Sequence, residues 1–118
     1  MSYVVEVDDA TVWSPGLRVG ALYVRMADCF ATWSGPPSGL AAMAKDYYVI
    51  DVDAFGALFR AVLDDPGFGH PVFGELTRGF IATSLVMLRR AALPLPEMSP
   101  AAEHLTDLMA SIATKMPA

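Results

Sequence analysis

From His70 to Ala92 the chain reads HPVFGELTRGFIATSLVMLRRAA, and its apolar positions change character half-way along. In the first half Val72, Phe73, Leu76 and Phe80 are set against Glu75, Thr77 and Arg78, the pattern of a one-sided helix. From Gly79 to Leu88 only Thr83 and Ser84 interrupt the apolar run. A helix that is apolar on every side is normally covered by its neighbours, so a central helix over 71–92 is expected. Pro71 suits the first helical position, where no N–H is needed, and Arg89 and Arg90 complement the negative end of the dipole. A membrane span needs ~20 uninterrupted apolar residues, and Arg78 and Arg89 bracket only about half that length.

The remaining segments supply the cover. Tyr3-Val4-Val5-Glu6-Val7 and Thr11-Val12-Trp13, separated by Asp8-Asp9, read as a β-hairpin whose turn type is open because it lacks Gly. Ser14-Pro15 reads as the start of a helix through Thr32, beginning nearer Leu17 if Gly16 and Gly20 weaken its first turn. Val19, Leu22, Tyr23, Met26, Phe30 and Trp33 recur at helical spacing, with Arg18, Arg25, Asp28 and Thr32 on the other side, so that apolar face is expected to be buried. Ser34–Gly39 (SGPPSG) is a loop, and Leu40–Lys45 is expected to add a short helical turn.

Asp46–Val52 (DYYVIDV) is the strongest strand, and its near-continuous apolarity predicts burial on both faces and pairing with the hairpin. Asp53 is the expected N-cap of a helix with Phe55, Leu58, Phe59 and Val62 as its inner stripe. Leu93–Pro96 is an extended connector, and Ser99-Pro100 opens a last helix. Leu105, Leu108, Met109, Ile112 and Met116 take one side of that helix, with Glu103, His104, Asp107, Ser111 and Lys115 opposite. The expected fold is α+β and a single domain over 1–118. A small, mostly antiparallel sheet, a hairpin plus one strand, is covered by about four helices in the order β-β-α-β-α-α-α. A mostly helical bundle with peripheral strands is the alternative.

Composition adds one thing to this pattern. Hydrophobic residues make up 54% of the chain and charged residues 18%, a balance more apolar than one small core conveniently hides. A homo-oligomer or a protein-partner surface is the expected outlet. The net charge of −5 argues against nucleic acid and against anionic membrane surfaces. Cys29 is the single cysteine, which excludes an internal disulfide and suits a reducing cytosol. The opening MSYVVEVDD lacks the basic and apolar regions of a signal peptide, so a cytoplasmic location is expected.

Candidate chemistry is thin. Gly67-Phe68-Gly69 lacks the further Gly and the preceding strand of a phosphate loop, and no nucleophile elbow occurs. Asp51 and Asp53 at a strand end resemble metal-binding aspartates, but capping a helix is task enough for Asp53. His104 and Asp107 sit one helical turn apart, where a solvated face is the simpler reading, and His70 suits a structural role as a helix cap. Cys29 reads as a semi-buried structural thiol rather than a reactive one. No catalytic residue, metal site or cofactor is therefore assigned. Trp33, Tyr47, Tyr48 and His70 are candidates to frame a ligand pocket between sheet and helices. Met98, Met109 and Met116 cluster near the C-terminus, and Met109, Ile112 and Met116 form a candidate partner face, since methionine makes an adaptable binding surface.

Thr11-Val-Trp-Ser-Pro15, Tyr47 to Asp51, Asp53-Ala-Phe55 and Gly69-His-Pro-Val-Phe73-Gly-Glu-Leu-Thr-Arg-Gly-Phe80 together resemble a family of short uncharacterised proteins from high-GC actinobacteria, across most of the chain. That resemblance implies a small cytosolic bacterial protein acting beside a larger partner and carries over no catalytic residues. The expected function is a non-enzymatic interaction module, of the immunity, antitoxin-like or small adaptor kind. A small-molecule-binding domain is the alternative, and an enzyme using Asp51, Asp53, His70 or His104 is the third reading.

Overall fold

A computed structural model describes residues 2–65, 70–92 and 105–117. Four strands, β1 (Val4–Val7), β2 (Ala10–Trp13), β3 (Leu40–Ala44) and β4 (Tyr47–Ile50), form one sheet in the order β2-β1-β4-β3. Among the described residues four helices accompany it: α1 (Leu17–Ser34), α2 (Val52–Leu63), α3 (Pro71–Arg90) and α4 (Leu105–Ala113). The fold is α+β, as the pattern predicts. Ser99-Pro100, Met98 and His104 lie outside the described residues.

Three details of the sheet differ from expectation. Leu40–Ala44 is a strand, not a helical turn: alanine favours helix locally, but pairing with β4 overrides that weak preference. The sheet is consequently two antiparallel hairpins joined by a parallel β1–β4 pair. Asp8 and Asp9 both take positive φ, 49° and 66°, the two-residue turn whose twist matches that of the strands. Nor is β4 buried on both faces. The register pairs Val5 with Tyr48 and Glu6 with Val49, so Val5, Val7, Tyr48 and Ile50 share the inner face. Val4, Glu6, Tyr47 and Val49 share the other and are only half-buried.

Helix starts also depart from the obvious signals. Ser14 and Pro15 do not cap α1; Tyr3 donates its N–H to the Pro15 carbonyl at 2.7 Å and Ser14 its own to that of Pro117 at 2.6 Å, so this segment continues strand-like contacts. Asp51, not Asp53, caps α2, accepting from the N–H groups of Asp53 and Ala54 at 3.1 and 3.2 Å. Asp53 instead sits in the first turn, where a negative charge suits the dipole. His70 caps α3 as expected, its Nδ1 accepting from Val72 N–H at 3.2 Å.

The C-terminal half of α3 is the centre of the core. Ile81, Ala82, Ser84, Leu85 and Met87 are sealed from solvent, packed with Phe55, Leu58 and Phe59 of α2 and Leu105 of α4. At its last turn the Arg90 guanidinium donates to the carbonyls of Val12, Ala113 and Met116 at 2.9, 3.0 and 2.8 Å, tying β2 and the end of α4 to α3.

The N-terminal half of α3 is different. Val72 and Leu76 are 60% and 74% exposed, although the pattern puts them on the inner stripe. The same holds for α1, which buries Gly20, Tyr23 and Ala27 and leaves Val19, Leu22 and Trp33 in solvent. Both apolar stripes are wider than the core they serve.

Candidate functional site

Those two surplus stripes face each other. Trp33 meets Phe73 edge-on with ring centroids 5.8 Å apart, Phe30 meets Phe80 at 4.7 Å, and Tyr23 is hydrogen-bonded to Ser84. Residue numbers fall along α1 as they rise along α3, so the two helices run antiparallel. Between them lies an open groove of about 460 Å³, walled by Val19, Leu22 and Met26 on one side and Leu76, Gly79 and Thr83 on the other. Trp13, Tyr23 and Phe80 line it as well, and Ile112, Lys115 and Met116 close one end.

The aromatic residues are fixed from beneath. Tyr23 packs edge-on to Trp13 and stacks on Phe80, both at 5.2 Å. The Ser84 hydroxyl donates to the Phe80 carbonyl at 2.8 Å, which leaves its oxygen to accept from Tyr23. Burial holds the Tyr23 phenol far above its ordinary pKa of 10. Tyr23 is thus a neutral hydroxyl spent on a structural bond. The charged residues of the lining are Glu75 and Lys115.

The residues singled out from sequence are dispersed. Tyr47 and Tyr48, adjacent on β4, point to opposite faces of the sheet: Tyr47 donates to the Glu6 carboxylate, and Tyr48 stacks on Tyr3 at 5.8 Å. His70 is an exposed cap, and Trp33 stands 67% exposed beside Phe73. None of these four lines the groove. Of the candidate partner face, Met109 is buried in the core, whereas Ile112 and Met116 reach the groove. Lys115, expected on the wet side, lines it too, because the chain turns after Ala113. Cys29 is exposed rather than semi-buried. Leu22, Leu76 and Gly79 are among the groove residues that sequence reasoning missed; the signal present was the excess width of both stripes, set beside a 54% apolar composition.

A family of unknown function, DUF6086, matches over residues 1–118. The chain belongs to that family. No curated protein and no solved structure matches it. DUF6086 membership therefore brings no inherited chemistry, and the groove has to be read from its own residues. Among the described residues of this DUF6086 chain, no helix is long and apolar enough to cross a membrane.

Proposed function

We propose that this protein is a non-enzymatic interaction module of the immunity, antitoxin-like or adaptor kind, acting in a bacterial cytosol. The observation that carries the reading is the groove between α1 and α3, where Val19, Leu22 and Leu76 are 55%, 61% and 74% exposed. Contiguous exposed apolar surface of this kind marks a place where another molecule binds. The groove's open form, walled by two helices, suits a protein segment, which buries side chains along a line. Its about 460 Å³ also lies within the range of small-molecule sites, which supports ligand binding as the second reading.

Gly79 supplies the test. A Cβ there would meet nothing within 4 Å, so Gly79→Leu fills the groove without disturbing the core. Affinity capture from the source cell with wild-type chain should retain a stoichiometric protein that the Gly79→Leu chain releases. Capture of nothing, or equal capture by both, would overturn the reading. A thermal shift with a metabolite, lost on the same substitution, would favour the small-molecule alternative.

A further inference from the structure

We infer that the occupant of the groove is an amphipathic helix of a partner protein whose apolar stripe is flanked by carboxylates. Resting on the docking reading above, this adds the partner's shape and charge. The chain carries a net charge of −5, yet the sign reverses around the groove. Lys115 stands in the lining. Arg18 and Arg25 are exposed, each one helical turn from Leu22, on the outer flank of α1. On the α3 side Arg78 lies 3.4 Å from Glu75 and already engages it. Lys115, Arg18 and Arg25 are thus left to a partner, whereas Glu75, the carboxylate in the lining, is engaged by Arg78. A second copy of this chain would set the same cationic rim against itself. An acidic flank meets it with complementary charge.

The shape points to a helix. The lining runs from Val19 to Met26 along α1 and from Glu75 to Thr83 along α3, ~10–12 Å at 1.5 Å per residue, about two helical turns and the span of an i to i+7 pair. Antiparallel α1 and α3 make the groove a trough along both helices, the form that receives anchors at i, i+3/i+4 and i+7. The space over Gly79 lets a partner backbone come close.

Two synthetic peptides with one common Leu/Ala stripe, flanked by Glu in one and by Lys in the other, test this by fluorescence anisotropy against the full chain. The Glu peptide is expected to bind about tenfold more tightly or better, with the gap closing in about 0.5 M NaCl. In Arg18→Glu/Arg25→Glu the preference should invert, with thermal unfolding checked to show that the variant remains folded. Gly79→Leu should release both peptides. Equal binding of the two, still lost in Gly79→Leu, overturns the charge assignment and leaves the docking groove standing. Binding of neither, with self-association that Gly79→Leu abolishes, makes the occupant a second copy and overturns this inference. Binding of neither by a monomer counts against both readings.

Discussion

Tyr23 of α1 and Ser84 of α3 share a hydrogen bond sealed beneath the groove, where the serine oxygen accepts from the phenol while its own proton goes to the Phe80 carbonyl. Burial makes the phenolate of Tyr23 inaccessible in the folded chain, so its pKa is raised there relative to the unfolded value of 10. The stability that rests on a buried, neutral Tyr23 is therefore fully present below pH 10 and is lost as pH climbs above it, at about 1.4 kcal/mol per pH unit for this one proton. Chemical unfolding across pH 9–11 should reveal that slope. Tyr23→Phe should lower stability by about 1 kcal/mol at pH 7 and flatten the alkaline decline. An unchanged slope would mean that Tyr23 titrates freely.

Arg90 holds three carbonyls from two other segments, those of Val12, Ala113 and Met116. Arg90→Met keeps much of the aliphatic stem but deletes the donors, and should cost about 2 kcal/mol in denaturant unfolding. Arg90→Lys should recover only part of this, since a single ammonium cannot reproduce the planar fork. Hydrogen exchange should locate the loss at β2 and α4.

Two helical glycines should respond to alanine with opposite signs. At Gly20 a Cβ would fall 2.5 Å from Tyr3 Cγ and 3.0 Å from its Cβ, atoms near the backbone that cannot swing away. Gly20→Ala should therefore destabilise by about 1–3 kcal/mol. At Gly79 the space is open, and Gly79→Ala should stabilise by about 0.5–1 kcal/mol through helix propensity alone. Melting temperatures moving in the same direction would contradict this account of the groove.

Leu76 is 74% exposed in the N-terminal half of α3. Leu76→Ser should change unfolding free energy by about 0.5 kcal/mol or less, because little burial is lost. The same substitution in the buried half of α3, at Leu85, should cost about 3 kcal/mol or more, since it opens a cavity and buries a hydroxyl. Similar losses at the two positions would show that Leu76 is covered in the free chain.

Most of the elements were legible along the chain. Apolar periodicity marked all four helices, the aromatic and β-branched runs marked β1, β2 and β4, and Phe55, Leu58, Phe59 and Val62 are the buried face of α2 as their spacing requires. These are local properties, carried by a few consecutive residues. What tertiary structure alone decided is how much of each apolar stripe the core uses. Val19, Leu22, Val72 and Leu76 share the periodicity of residues that are buried, and nothing in their own segments says otherwise. Their exposure follows from how α1, α3 and α4 meet, at positions distant in sequence. The same reason accounts for β3, whose alanines become a strand only by pairing with β4, and for the groove: periodicity finds a helix and its apolar side, but only the neighbours decide which part of that side is left open.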